Sequence, residues 1–181
     1  MRQLIVLILL SLFASCSSDN AFLIDKNKVG VLTDKTLITE VESLFENYTL
    51  EGLNPDPSSK YISADVEVFN EAGELVMVIE PTTRDDDAKI KSIKIFDDQY
   101  KTKNGLNANS LFEAIEKNYT ISSIQTTISE VIVSIEEIDA FVTIKKTELP
   151  SELQFDMEKN IKATQIPSDA KIKGFWVNFE Q

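Results

Sequence analysis

Residues 62–79 have the sequence ISADVEVFNEAGELVMVI, which is the strongest β-strand pattern in the chain. Its first part alternates apolar and polar residues, as a strand with one buried face does. The apolar positions are Ile62, Ala64, Val66 and Val68. A polar turn at residues 70–73 leads into a second apolar run at residues 75–79. The stretch therefore predicts a β-hairpin.

Strand patterns recur on both sides of this hairpin and are separated by short polar stretches. They fall at residues 90–96, 121–127, 130–135, 140–145 and 172–179. Two short helices are also predicted. One covers residues 36–46, where apolar side chains have helical spacing, and the other covers residues 111–118, where Ser110 and Glu113 fit a capping box. This order of elements favours an α+β fold with a mainly antiparallel sheet and the two short helices packed on one face.

The first 15 residues have the three-part organisation of a secretory signal peptide. Residues 1–3 supply a positive charge, residues 4–13 are apolar apart from one serine, and Ala14 and Ser15 are the small residues of a cleavage site. The apolar run is too short for a membrane-spanning helix, which needs about 20 residues. We therefore expect residues 1–15 to be a leader that is removed on export.

Cys16 follows this leader directly and is the only cysteine in the chain. Residues 12–16 resemble the lipobox of bacterial lipoproteins, in which the cysteine thiol receives a diacylglyceryl group. The resemblance implies that Cys16 is lipidated and anchors the protein, because several acyl chains together bind a membrane stably. Residues 16–20 are then a short tether, and residues 21–181 are expected to form a single α+β domain. A signal peptide without lipidation is the alternative.

Two groups of short motifs stand out in the rest of the chain. Residues 22–24 precede residues 29–33, and residues 101–106 precede Ser110, Glu113 and Tyr119. Together they resemble a family of uncharacterised outer-membrane lipoproteins from Bacteroidota. The resemblance implies a location and a fold, and it supplies no catalytic residues.

The residue directly after the lipidated cysteine influences the sorting of lipoproteins in bacteria with two membranes. Ser17 occupies this position, where an aspartate would resemble the inner-membrane retention signal of enteric species. We therefore expect anchoring in the outer membrane, with the domain facing either the periplasm or the cell surface.

The composition excludes several classes of function. The chain has 30 Asp and Glu against 18 Lys and Arg, with a net charge of −12, so its surface repels nucleic-acid phosphates and no nucleic-acid partner is expected. It has no histidine, and lipidation of Cys16 leaves no free thiol. The Ser-His-Asp and Cys-His catalytic sites are thereby excluded, as is the two-histidine zinc helix. We expect no catalytic residue, no cofactor and no metal.

Acidic residues cluster at two points. Asp85, Asp86 and Asp87 are consecutive, as are Asp97 and Asp98, and carboxylates from both could in principle surround a calcium ion. Their spacing differs from that of a calcium-binding loop, however, and runs of charge in turns usually face water. We favour the solvent-exposed interpretation.

Aromatic residues form a second candidate site. Phe175, Trp176 and Phe179, together with Tyr100 and Tyr119, could make an exposed surface for carbohydrate or protein. Side chains alternate between faces along a strand, so Phe175 and Phe179 should share a face with Val177 while Trp176 points the other way. We expect Phe175, Val177 and Phe179 in the core, and we expect Trp176 to cover the opposite face of the sheet.

The leading functional hypothesis is a membrane-anchored lipoprotein of the bacterial envelope that acts as a non-enzymatic binding or interaction module. Its partners are the membrane, through the lipid on Cys16, and a protein or small ligand. Two alternatives remain open from the sequence. One is an envelope hydrolase that uses only carboxylates, and the other is an inhibitor or accessory factor whose acidic surface meets a basic partner.

Overall fold

Strands make up most of the regular structure, as the alternating sequence predicts. A computed structural model describes residues 21–52, 65–154 and 160–179 of the chain. Its strands are β1 (Leu23–Asp25), β2 (Lys28–Val29), β3 (Leu32–Thr33), β4 (Thr49–Glu51), β5 (Val66–Phe69), β6 (Leu75–Pro81), β7 (Ile90–Ile95), β8 (Lys101–Thr102), β9 (Ile121–Thr126), β10 (Glu130–Ile135), β11 (Ala140–Lys145) and β12 (Ile172–Asn178). The α-helices among these residues are α1 (Val41–Leu44), α2 (Phe112–Asn118) and α3 (Ser151–Gln154). The α+β class with mainly antiparallel pairing is confirmed.

Eight of the described strands form one antiparallel sheet, here called the large sheet, in the order β4-β5-β6-β7-β12-β11-β10-β9. The predicted hairpin is its β5–β6 pair, in which Val66 lies opposite Ile79. Ile62 and Ala64, which open the predicted pattern, lie outside the described residues. The predicted strands after residue 120 form the β9–β10–β11 meander.

β12 occupies the centre of the large sheet. It pairs with β7 on one side and with β11 on the other, so it joins the part of the sheet formed by β4–β7 to the part formed by β9–β11. The predicted terminal strand at residues 172–179 therefore exists, and it is a central strand.

Four short strands form a second sheet, here called the small sheet, in the order β3-β2-β1-β8. β1 pairs with β8 in parallel, and this pairing connects two distant segments of the chain. The turn between β2 and β3 contains Gly30 at φ 60°, and a Cβ there would lie 2.6 Å from the carbonyl oxygen of Ala21. Glycine therefore suits this position on both backbone conformation and space.

The helix predicted at residues 36–46 is only partly present. Ile38–Glu40 form a 3-10 turn, and α1 adds a single turn after it. The reason is that the start of this segment is held as extended chain: Leu37 forms a bridge with Lys89, and Ile38 donates its amide to Ala88. Leu37 therefore keeps an extended backbone, with φ −82° and ψ 151°, and the helical turns begin only after it.

α2 confirms the helix predicted at residues 111–118, but the predicted capping box is wrong. Ser110 lies before the cap and bonds to Asn107, while Glu113 pairs with Lys117 one turn further along. The free amides of Phe112 and Glu113 instead donate to the carbonyl oxygens of Ala170 and Ser168 at 2.9 Å. A distant segment of backbone thus replaces the side-chain cap.

Residues 146–170 give no clear sequence pattern, and they contain short helical turns. α3 lies here, between 3-10 turns at Lys146–Glu148 and Ala163–Gln165. Residues 51–60 contain two prolines and a glycine, a composition that predicts an exposed loop, but Glu51 belongs to β4. Residues 53–60 of that loop lie outside the described part of the chain.

Buried apolar side chains from both sheets and from all three α-helices belong to one hydrophobic cluster. Ile24 comes from the small sheet, Phe175 from the large sheet, and Val41, Phe112 and Leu153 from the helices. Across the ranges that the structure describes, every helix is too short or too polar to span a bilayer.

Candidate binding face on the large sheet

The large sheet has two faces of different character. Its buried face carries apolar side chains such as Ile93, Val142 and Phe175, which are fully buried. The opposite face, here called the open face, carries half-buried and exposed side chains in the alternate positions. One row of neighbours on the open face runs across the strands in the order Glu67, Val78, Lys94, Trp176, Phe141, Ser134 and Ser123.

Four side chains at the centre of the open face form what we call the aromatic cluster: Lys94, Phe96, Phe141 and Trp176. The rings of Phe141 and Trp176 are stacked, with centroids 4.9 Å apart and planes at 9°. The Nζ atom of Lys94 lies 4.6 Å from the centroid of the Trp176 ring and 4.9 Å from that of Phe96. Such pairs stabilise neighbouring strands through dispersion and cation–π attraction.

The ring of Trp176 also requires glycine next to it. A Cβ at Gly174 would lie 2.3 Å from Cζ3 of that ring, which is far inside contact distance. The indole therefore covers the backbone of β12, and this fits the expectation that Trp176 covers the sheet.

The other aromatic residues of the predicted site are divided as the alternation requires. Phe175 and Phe179 are buried in the core, on the face opposite Trp176. Tyr100 and Tyr119, however, are not part of this surface. Tyr100 is buried against Phe22, with ring centroids 5.1 Å apart, and its burial raises the pKa of its hydroxyl group. Tyr100 therefore does not join Trp176 in the candidate aromatic surface.

Tyr119 is also used elsewhere. Its hydroxyl group lies 2.5 Å from the hydroxyl of Thr102, on β8 of the small sheet. The hydrogen bond connects the end of α2 to the small sheet, so Tyr119 has a structural role away from the open face.

Ion pairs lie at two places along the edge of the aromatic cluster. Lys173 pairs with Glu130, and this pairing lowers the pKa of the Glu130 carboxyl group. Glu80 accepts hydrogen bonds from Lys91 at 2.6 Å and from Ser92 at 2.7 Å, and Lys91 lowers its pKa in the same way. Carboxyl groups with lowered pKa values stay ionised at neutral pH, so neither of these two is suited to act as a general acid.

A depression of about 370 Å³ lies at one end of the strands and is open to solvent. Its lining is largely polar and includes Ser123, Ser134, Glu136, Asp139 and Asn178. Ligand-binding pockets usually enclose their ligand within mostly apolar walls. This depression does not have that form, and it is better described as a polar extension of the open face.

The acidic clusters do not form a site in the described residues. Asp85, Asp86 and Asp87 are exposed, as the solvent-exposed interpretation predicts. Asp97 and Asp98 bond to Gln99 and Asn109 respectively, at 2.9 Å. Across residues 21–52, 65–154 and 160–179, no three acidic side chains come close enough to hold a metal ion.

The sequence did not identify Phe141 and Lys94 as parts of this surface. Each lies at a polar-facing position of its strand, and that signal could have singled them out. Their contact with Trp176 depends on β12 lying between β7 and β11, which local patterns do not reveal. Cys16, the predicted lipidation site, lies outside the described residues.

The described residues define an α+β protein whose main element is one eight-stranded antiparallel sheet. No protein-family model matches the chain, and no curated protein matches it. Among solved structures, it is similar to the crystal structure of the uncharacterised protein YfeY from Escherichia coli, with a TM-score of 0.54 and 14% sequence identity. The match covers 86% of this chain and 99% of that chain. At this identity the likeness concerns the fold alone.

Proposed function

We propose that this protein is a lipoprotein of the bacterial envelope that acts as a non-enzymatic interaction module and contacts a partner protein through its open face. The main support is the aromatic cluster on that face. Aromatic and cationic side chains stand at its centre, and ion pairs lie around them. This arrangement resembles the core and polar rim of protein interfaces. Small-ligand binding is less well supported, because the depression on this face is open to solvent and polar.

The short helices are proposed to pack on the buried face, which leaves the opposite face free. The support is that Val41, Phe112 and Ile115 belong to the same hydrophobic cluster as the strand residues of the buried face. With helices on one side, the aromatic cluster would remain available for a partner.

Anchoring through Cys16 is the second part of the proposal, with the outer membrane as its location. Its support is the leader and the lipobox resemblance. Only residues 17–20 separate Cys16 from the first described residue, and four extended residues reach at most about 14 Å. The domain would therefore work close to the membrane surface.

The anchoring experiment is labelling of growing cells with radioactive fatty acid, comparing the natural chain with Cys16→Ala. We expect label in the natural chain and none in the variant. Equal labelling of both chains would contradict lipidation at Cys16.

The binding experiment uses chemical crosslinking in intact envelopes, followed by mass spectrometry. Phe96→Ser removes an aromatic ring that is 38% exposed, and Leu44→Ser is the matched control because Leu44 is 41% exposed on α1. We expect Phe96→Ser to lose a specific protein adduct that Leu44→Ser retains. An adduct pattern unaffected by Phe96→Ser would argue against the open face as the contact surface.

A further inference from the structure

β9 is an edge strand of the large sheet that has no charged residue and no proline to oppose pairing, although a bulge interrupts its pairing with β10 near Ile121. Strand edges are normally protected by charged side chains, by proline or by short length. β9 has six residues, Ile-Ser-Ser-Ile-Gln-Thr, without charge or proline. The other edge strand, β4, has three residues and ends in Glu51. The two edges of the sheet are therefore protected to different degrees.

The direction of the backbone groups in β9 follows from its turn. Thr127 donates its amide to the carbonyl oxygen of Glu130 at 2.8 Å, so Thr127 faces β10. The direction of the backbone N–H and C=O groups alternates along a strand. Those of Gln125 therefore also point toward β10, while those of Ile124 and Thr126 point away from the sheet. These outward backbone groups form no hydrogen bond with any residue that the structure describes.

We propose that β9 pairs with β9 of a second copy of this chain, antiparallel and about a two-fold axis at Gln125. In this register Ile124 lies opposite Thr126 of the second copy, so the outward backbone groups of each pair bond to each other. The two Gln125 side chains lie opposite each other on the open face. The large sheet then continues from one copy into the next.

Three features favour a second copy over a different occupant. First, the outward groups of Ile124 and Thr126 are self-complementary under the two-fold axis, as an isologous interface requires. Second, the register uses the regular part of β9, since the irregularity in its pairing with β10 lies nearer Ile121.

The third feature is charge. The chain carries −12 overall, yet β9 contributes none of it, and the acidic residue that begins β10, Glu130, is already paired with Lys173. Like-charge repulsion is thus weaker at this edge than at β4, which ends in Glu51.

The test uses full-length chains with one added cysteine, examined in envelope fractions on non-reducing gels. Opposed residues of this kind have Cα atoms about 4.5 Å apart, within the range for a disulfide. Gln125→Cys should therefore give a disulfide-linked species of twice the mass. Ser123→Cys is the matched control, equally exposed on the same face. Its two copies would lie about 13 Å apart along the strands, which is too far for a disulfide.

A second measurement does not depend on cysteine chemistry. Light scattering of the detergent-extracted natural chain should show a dimer. Gln125→Lys should weaken it about two- to fivefold, because two lysines face each other, while Ser123→Lys should leave it unchanged.

Three results would overturn the proposal: a monomeric natural chain, equal crosslinking of Gln125→Cys and Ser123→Cys, or an adduct of Gln125→Cys with a protein of different mass. The last result would mean that a foreign strand occupies this edge. None of these outcomes depends on the partner proposed for the aromatic cluster.

Discussion

Gly174→Ala is a small substitution for which the structure predicts a measurable loss of stability. The added Cβ would lie 2.3 Å from Cζ3 and 2.4 Å from Cη2 of Trp176, and 3.3 Å from Oγ1 of Thr143. The indole cannot move aside without loss, because it is stacked on Phe141 on one side and contacted by Lys94. The substitution should therefore disturb the whole aromatic cluster.

The size of the effect follows from two opposing contributions. Overpacking a well-filled site costs about 1–3 kcal/mol. Replacing glycine by alanine returns about 0.4–1 kcal/mol, because the unfolded chain has fewer conformations. With mid-range values for both contributions, we expect Gly174→Ala to lower the free energy of unfolding by about 1–2 kcal/mol. For a protein of this length, that loss lowers the melting temperature by about 2–8 °C.

The assay is urea unfolding of the purified protein, followed by circular dichroism so that variants without tryptophan can be compared. Trp176→Ala provides the decisive background. Without the indole, the added methyl group has room, and Gly174→Ala should be neutral or slightly stabilising. An equal loss of stability in both backgrounds, or no loss in the natural background, would refute the argument.

Two further predictions concern other parts of the fold. Lys91 holds the pKa of Glu80 below the ordinary value of 4.5, so the pair stabilises the folded state above that pH and loses its effect as the pH falls through the lowered pKa. The Glu80→Gln variant should therefore be less stable than the natural protein at pH 7. Its free energy of unfolding, measured by urea titration, should also fall less between pH 5 and pH 3 than that of the natural protein. Parallel pH profiles of the two proteins would contradict this. Phe112 is fully buried, so Phe112→Ala should cost about 3–5 kcal/mol in thermal or urea unfolding. Leu111→Ala, at a position 37% exposed, should cost less than about 1 kcal/mol, and similar losses for both would count against the packing described for α2.

Local sequence patterns predicted the strands better than the helices. Runs that are rich in β-branched residues and bounded by polar stretches gave β10 and β11 with the correct bounds, because such side chains favour extended backbone. The alternation of side chains along a strand predicted that Phe175 and Trp176 lie on opposite faces. This alternation depends only on neighbouring residues, so it does not change with the contacts that distant parts of the chain make.

Features that depend on distant contacts were missed. The amides that begin α2 are bound by the carbonyl oxygens of Ser168 and Ala170, and no pattern near Ser110 reveals this. The parallel pairing of β1 with β8 likewise joins short segments whose own patterns are weak. The contact between Phe141 and Trp176 depends on strand order, so the candidate site could be predicted only in part, through Trp176.

The central position of β12 has a consequence for synthesis of the chain. Until residue 178 has been added, the segments that form β4–β7 and β9–β11 each present an apolar strand edge with no neighbour. Such edges promote aggregation when a chain is incomplete. A chain truncated before residue 172 should therefore aggregate or be degraded and not form a smaller stable domain. The same topology delays completion of the large sheet until β12 has left the ribosome.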